Sequence, residues 1–498
     1  MLPWSRDLIG RLDEHEIESQ ALRGNPLGDP HVRPLWVYVP PGYDDEPDRR
    51  YPSVYVIQGL TGQLDMWRNR SAFRPNYPEL VDELFASGGA PPALVVFVDC
   101  WTSLGGSQFL DSPGTGAYHT YLCGEVVPWV DARYRTLAAP GHRGIQGKSS
   151  GGYGAMVTAM LRPDLFGGFA THAGDALFEV CYLPGFPEAA RALRDHYGGS
   201  YERFWEDFRS RPAMSKEHDA VLLNAYCMAA CYSAEPDGTV RLPFDPATGQ
   251  LREDVWRRWL EKDPVRMVPA HAEALRSMRA IWIDAGTRDE WYLDLGAEAF
   301  RRALEGIGVT DVRFELFDAG HMSIEYRYPE SLRYLAERLA PYPTAAWEAV
   351  RRSCSADRGS SGRAAQRTES PSARAARACA RSRVTRTTCS SPASGGHSSS
   401  ATARWIASSV RRAWATTSSR ARGRTTAGRS ARSATGRPSA QWASKMARSS
   451  RHGRSLPERA AVRTAEASST RASSLVTTGW SPSSSERRSV GWSGSSAR

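Results

Sequence analysis

Three side chains, met in the order serine, aspartate, histidine, have the types that acyl transfer requires. Ser149 sits in Gly147-Lys148-Ser149-Ser150-Gly151, and a serine hydroxyl attacks a carbonyl only when a base takes its proton. Glycines on both sides allow the sharp strand-to-helix turn that exposes such an oxygen at the end of a sheet. Taken alone, that pentapeptide is a common Gly/Ser turn, so its reading depends on its partners. Asp289 follows in Ala285-Gly286-Thr287-Arg288-Asp289-Glu290, with Glu290 as the competing acid and a helix cap as the bland alternative. His321 follows in Asp318-Ala319-Gly320-His321-Met322. It would take the Ser149 proton and return it to the leaving group, while Asp289 holds the imidazole tautomer. His142 and His172 are nearer in sequence, but one precedes the nucleophile strand and the other ends the next strand, so neither is assigned a proton-transfer role.

A tetrahedral intermediate also needs donors for its developing oxyanion. The backbone N–H of Ser150 is the first candidate. The second is Leu60, in the glycine-bearing loop Gln58-Gly59-Leu60-Thr61-Gly62, with Gly59 as the alternative. Trp67, Trp101 and Asp175 fall in loops that border such a site and are candidates for the substrate pocket.

These residues must be carried to one place by strands. Leu35–Val39 alternates into a Pro-Pro-Gly turn, Ser53–Ile57 runs into Gln58-Gly59, and Ala93–Val98 is a continuous apolar run of the kind buried on both faces. Short strands at Gly144–Gly147, Gly168–His172, Ala280–Asp284 and Val312–Phe317 interleave with helical spacing at 119–134, 151–162, about 294–306 and 330–339. Alternation of this kind predicts a mostly parallel sheet with helices on both faces, with chemistry in the loops after the strand ends. Residues 178–274, rich in helical pattern and holding Trp205, Trp256 and Trp259, read as a helical cap over the site.

With those residues placed, residues 25–340 resemble the putative esterase family of α/β hydrolases, whose members include enterochelin esterase-like proteins, S-formylglutathione hydrolases, feruloyl esterases and mycolyltransferases. The likeness rests on Val37-Tyr38-Val39-Pro40-Pro41-Gly42-Tyr43, Arg50-Tyr51-Pro52, Gly147 through Ala155, and Gly320-His321. It implies the α/β-hydrolase fold, a serine esterase working through an acyl-enzyme on a small-molecule ester, and neither metal nor organic cofactor. Catalytic roles carry over to Ser149, Asp289 and His321, and oxyanion roles to Leu60 and Ser150. Gln58 departs from the histidine usual before that glycine, and Lys148 and Ser150 replace the commoner neighbours of the serine, which leaves substrate class open. An acyltransferase using the same residues and an inactive binding module of this fold are the competing readings. A phosphate-loop reading of Gly147-Lys148-Ser149 fails because His142 stands where that motif needs glycine.

Charge divides the chain. Residues 1–352 hold 37 Lys+Arg and 49 Asp+Glu, whereas residues 353–498 hold 27 and 5. The overall +10 is thus an acidic catalytic domain at 1–350 joined to a basic tail, and a polyanion-binding reading applies to the tail alone. That tail has no Phe, Tyr or Asn, yet five Trp, and 127 of its 146 residues are Ala, Arg, Ser, Thr, Gly, Pro, Cys or Trp. It cannot build a core. Those eight residue types share codons with G or C in the middle position, so the tail reads as a disordered extension arising from out-of-frame translation of a GC-rich gene. Five cysteines in the body lack metal-ligand spacing, and neither a signal-peptide pattern nor an apolar run of about 18 residues is present. A cytoplasmic protein without membrane or nucleic-acid partners for its folded part is the expectation.

Overall fold

Val54 and Val56 face one side of a strand and Tyr55 and Ile57 the other, and all four are fully buried in two separate apolar clusters. A sheet covered on both faces follows from that pattern. A computed structural model of the protein describes residues 5–70 and 73–341; the basic tail lies outside the described residues.

Eight strands form one sheet: β1 (Arg11–Glu18), β2 (Val32–Val39), β3 (Ser53–Ile57), β4 (Leu94–Val98), β5 (Arg143–Lys148), β6 (Gly168–His172), β7 (Ala280–Gly286) and β8 (Arg313–Phe317). Their order is β1-β2-β4-β3-β5-β6-β7-β8. β2 pairs antiparallel with both β1 and β4, and every pairing from β4 to β8 is parallel. This is the α/β-hydrolase fold. The parallel register aligns the carboxyl ends of β5, β6, β7 and β8 along one edge, where Lys148 pairs with His172 and His172 with Asp284.

Helices flank the sheet. α1 (Tyr77–Ala86) opens with a reciprocal capping box between Asn76 and Glu79. α2 (Ser150–Leu161) follows the nucleophile strand, α3 (Leu293–Gly306) separates β7 from β8, and α4 (Tyr328–Leu339) closes the domain. α2 is buried on almost every side, which its small residues make possible. A Cβ on Gly152 would lie 2.7 Å from the Gly174 Cα, and one on Gly154 2.2 Å from the Phe109 ring. Between β6 and β7 run seven helical segments from Phe178 to Arg276, with Trp259 fully buried among Phe186, Tyr182 and Tyr232. β1 is the strand that sequence pattern missed. Its RLDEHEIE alternation is mostly polar because it is a sheet edge with only Ile17 fully buried.

Candidate active site

Ser149 follows β5 with φ 59° and ψ −129°, a backbone conformation that costs a non-glycine residue about 1–3 kcal/mol. The surroundings enforce it. Ser149 N–H donates to the His172 carbonyl at 2.9 Å, and Tyr153 N–H donates to the Ser149 carbonyl at 2.9 Å. The flanking glycines are sterically required: a Cβ on Gly147 would lie 2.4 Å from the Gly151 carbonyl, and one on Gly151 2.6 Å from the Ile57 oxygen. Lys148 pairs with Glu325 at 3.1 Å, which also receives Arg74 at 2.8 Å. Burial alone would raise the Glu325 carboxyl, but these two cations outweigh it and hold the group below the ordinary range. The bridge ties the turn at Ser149 to the segment just beyond His321.

Asp289 and His321 lie three residues past β7 and four past β8. His321 Nδ1 and Asp289 Oδ2 are 2.8 Å apart with both side chains almost wholly buried. Asp289 Oδ1 accepts the Trp291 backbone N–H at 2.9 Å, and the Trp291 ring packs edge-on against His321 at 4.7 Å between centroids. Glu290, the competing carboxylate, instead accepts the backbone N–H of His321 at 2.8 Å. The two neighbours thus divide the work: one holds the ring, the other the main chain. Among the described residues neither Ser149 Oγ nor His321 Nε2 is hydrogen-bonded, and such contacts often tighten only when substrate is present.

A second serine–histidine–aspartate chain lies deeper. His172 Nδ1 meets Asp284 Oδ1 at 2.6 Å, and His172 Nε2 meets Ser331 Oγ at 2.8 Å. All three are fully buried, so no substrate reaches them. Trp282 Nε1 and Arg327 Nε each donate to Asp284 Oδ2 at 2.9 Å. Burial would raise the Asp284 carboxyl, but His172, Arg327 and Trp282 reverse this and lower it. The network ties β6, β7 and α4 together beneath the site, and the His172 carbonyl is the group that holds Ser149 N–H.

Leu60 and Ser150 line one small cavity together with Gly59, Gly106, Gln108 and Phe109. Gly59 packs against the nucleophile turn so closely that a Cβ there would lie 3.0 Å from the Lys148 carbonyl. Gln58 is buried, and with its amide assigned in the orientation that satisfies its neighbours it serves the main chain, donating to the Val98 carbonyl at 2.6 Å and accepting from Cys100 N–H at 2.9 Å.

The three pocket candidates separate. Asp175 is buried beside the nucleophile turn, accepting hydrogen bonds from Tyr182 (2.8 Å), Gln108 (3.1 Å) and Ser150 Oγ (3.3 Å). Burial pushes its carboxyl up, against the lowering pull of Tyr182, Gln108, His321 and Ser150. Trp101 is 37% exposed, and its carbonyl accepts from Arg33 at 2.6 Å. Trp67 is corrected: its ring is buried on the other side of the sheet against Tyr77, Phe97 and Tyr328, so it belongs to the core. Its loop position suggested a place at the pocket border, but in the short helix Leu64–Arg68 the residue is buried. Sequence reasoning missed Gln108, Tyr182 and Tyr232. Gln108 and Phe109 adopt φ of 50° and 54°, and nothing in a Ser-Gln-Phe-Leu string announces a left-handed backbone. Among the described residues no group of three or more His, Cys, Asp or Glu could hold a metal ion, and no helix is long and apolar enough to cross a membrane.

A parallel-centred sheet with a strained serine turn, and an aspartate–histidine pair on the loops after later strands, defines a protein of the α/β-hydrolase class. Residues 30–306 match the family described as "Putative esterase", and the chain belongs to that family. It is similar to an uncharacterized protein of Corynebacterium glutamicum, 25% identical over 143 residues that cover 29% of this chain and 33% of the relative, so the match spans about a third of that relative's length. Among solved structures it is similar to a ferulic acid esterase, 19% identical, covering 67% of this chain and 100% of that one, with a TM-score of 0.44. It is also similar to an S-formylglutathione hydrolase from Agrobacterium tumefaciens, 18% identical, covering 68% and 98%, with a TM-score of 0.39.

Proposed function

We propose that the protein is a serine esterase that hydrolyses a small-molecule carboxylic ester through an acyl-enzyme, with Ser149 as nucleophile, His321 as base and Asp289 as the acid that orients it. The observation that carries this reading is the buried 2.8 Å contact between His321 Nδ1 and Asp289 Oδ2. With Nδ1–H given to the carboxylate, Nε2 is left as the acceptor that general-base catalysis needs. His321 takes the Ser149 proton as Oγ attacks the ester carbonyl, and the backbone N–H groups of Leu60 and Ser150 receive the oxyanion. Collapse of the intermediate expels the alcohol, which takes the proton from His321. Water then enters, loses its proton to the same nitrogen, and frees Ser149 and the acid. Capture of the acyl group by another alcohol would make the protein an acyltransferase. The helical segment at 178–274 acts as the cap that controls which acceptor enters, and Trp101 borders the leaving-group side.

Labelling of the full-length chain with a fluorophosphonate, followed by peptide mapping, tests activity and nucleophile together. The label is expected on Ser149, and Ser149→Ala should abolish both labelling and hydrolysis of a p-nitrophenyl short-chain ester with the fold intact. Turnover unchanged in that variant would overturn the assignment.

A further inference from the structure

The two proposed oxyanion donors stand on separate pieces of chain, and their value depends on being aimed at one point. Ser150 opens α2 and is held by that helix. Leu60 stands in an irregular loop whose next residue, Thr61, has φ 64°, a left-handed conformation that a residue with a Cβ holds only where its surroundings impose it. The loop at 105–109 imposes it. Thr61 N–H donates to the Gly105 carbonyl at 2.7 Å, and a Cβ on Gly105 or Gly106 would lie 3.4 or 3.3 Å from Leu60 Cδ1. That loop belongs to no helix or strand and is itself strained, with φ of 50° at Gln108 and 54° at Phe109. Gln108 supplies the restraint. Its buried side-chain amide donates to Asp175 Oδ2 at 3.1 Å and to the Tyr232 hydroxyl at 2.8 Å. Asp175 Oδ2 also accepts from Ser150 Oγ at 3.3 Å and from the Tyr182 hydroxyl at 2.8 Å. One carboxylate oxygen is therefore bonded at once to the residue that carries one donor and to the loop that shapes the other.

We propose that Gln108 and Asp175 are positioning residues that hold the Leu60 and Ser150 N–H groups in register as one oxyanion hole, acting through those two residues rather than on the substrate. The inference rests on the acyl-enzyme reading of Ser149. As Oγ attacks, negative charge gathers on the carbonyl oxygen, and a donor out of place by a fraction of an ångström forfeits much of its effect. Without the Gln108 amide, the loop at 105–109 relaxes from its left-handed backbone, the Gly105 carbonyl leaves Thr61, and the Leu60 N–H turns out of line. Binding of an unreacted ester draws little charge onto that oxygen and is spared. Tyr182 and Tyr232 belong to the segment at 178–274, so the same pair also ties the proposed cap to the hole.

The test sets hydrolysis of p-nitrophenyl acetate by the full-length chain beside its inhibition by trifluoroacetophenone and by acetophenone. Ser149 Oγ adds to the carbonyl carbon of the fluorinated ketone, its proton passes to His321, and the carbonyl oxygen becomes the oxyanion; acetophenone fills similar space without adding. Gln108→Met keeps the side-chain length and removes the donor. In that variant kcat/KM and affinity for trifluoroacetophenone are expected to fall together by about tenfold or more, while affinity for acetophenone stays within about threefold. Ser150→Ala cuts the other end of the link, keeps the backbone N–H, and should lose about three- to tenfold on the same two readouts. Asp175→Asn should lose less than about threefold, because three donors converge on Oδ2 and the amide oxygen takes that place. A Gln108→Met protein that matches the unaltered one, or that loses turnover and both ketones alike, overturns the positioning role, as does an Asp175→Asn loss equal to that of Gln108→Met. Should Gln108→Met fail to fold, Ser150→Ala decides: loss of turnover and of the fluorinated ketone in step upholds the role, and no change overturns it. Variants without effect whose Ser149 still takes a fluorophosphonate leave the nucleophile standing. An unaltered protein that neither takes the label nor turns over the ester overturns the acyl-enzyme reading, and the positioning role with it.

Discussion

Replacing Asp289 by asparagine isolates the function assigned to that carboxylate, because the surroundings dictate which way the amide must face. Asp289 Oδ1 accepts the Trp291 backbone N–H at 2.9 Å, and Oδ2 accepts from His321 Nδ1 at 2.8 Å. In Asp289→Asn the amide oxygen must stay on Trp291, since turning the NH₂ toward that N–H would set donor against donor. The NH₂ then faces Nδ1, which becomes an acceptor, and the imidazole proton moves to Nε2. A ring protonated at Nε2 cannot take the Ser149 proton. The expected loss in kcat is about 10³–10⁴, of the size found when the orienting carboxylate of a serine triad is made an amide, or about 4–5.5 kcal/mol of transition-state stabilisation. Binding contacts are untouched, so KM should move little. Glu290→Gln is the internal control. It keeps an acceptor for His321 N–H and should lose less than about tenfold, because a neutral hydrogen bond replaces a charge-assisted one at the main chain. Steady-state kinetics on a p-nitrophenyl ester measure both variants. An asparagine variant within tenfold of the parent, or a glutamine variant that loses more than the asparagine one, would refute the argument.

Gly151→Ala places a Cβ 2.6 Å from the Ile57 carbonyl oxygen, which is backbone and cannot swing aside; denaturant titration should show a loss of about 1–3 kcal/mol together with reduced turnover, because the same shift moves Ser149. Gly306→Ala, where nothing lies within 4 Å of the new Cβ, should be neutral or stabilise by up to about 1 kcal/mol, and equal effects at the two positions would contradict the steric reasoning. The buried Asp284 carboxyl is lowered by His172 and Arg327 against its burial, so its contribution is present above the unfolded value of about 3.9 and is lost as pH falls through the lower folded value. Arg327→Met leaves that charge short of a partner and should cost about 3–5 kcal/mol at neutral pH. The gap from the parent should narrow as pH drops below the carboxylate range, and a gap constant from pH 7 to pH 3 would sink this account.

The parallel half of the sheet was legible because β3, β4 and β7 are fully buried runs of five to seven residues, and apolar runs closed by glycine turns mark buried strands without knowledge of what they pair with. The candidate site could be proposed for a related reason: Ser149, Asp289 and His321 sit a few residues past such strands. What stayed hidden was whatever depends on side-chain direction. Trp67 and Trp101 both stand in loops next to glycine-bearing turns, yet one is sealed into the core and the other is partly open to solvent, a difference set by a single turn of 3₁₀ helix at Leu64–Arg68. Asp289 and Glu290 are adjacent carboxylates whose roles diverge only once Gly320 brings the His321 main chain against Glu290, where a Cβ would lie 2.7 Å from Oε1.

Two serine–histidine–aspartate chains in one fold show why residue types alone do not define a site. The chain through Ser331, His172 and Asp284 has the shorter aspartate–histidine contact, 2.6 Å against 2.8 Å. By hydrogen bonding alone it would be the better candidate. Exclusion from solvent disqualifies it, and so does backbone geometry. Ser331 lies inside the regular helix α4, with Gln146 Oε1 and the Tyr328 carbonyl each 3.1 Å from its Oγ as further acceptors for its one proton, whereas Ser149 stands on a strained turn at a strand end with its Oγ unengaged. A hydroxyl already satisfied in a packed interior gains nothing by losing its proton. The buried chain instead anchors β6 to β7 and α4, and through the His172 carbonyl it fixes the main chain of Ser149. The same three residue types therefore serve as scaffold in one layer and as candidate chemistry in the next, and strain and access distinguish the two.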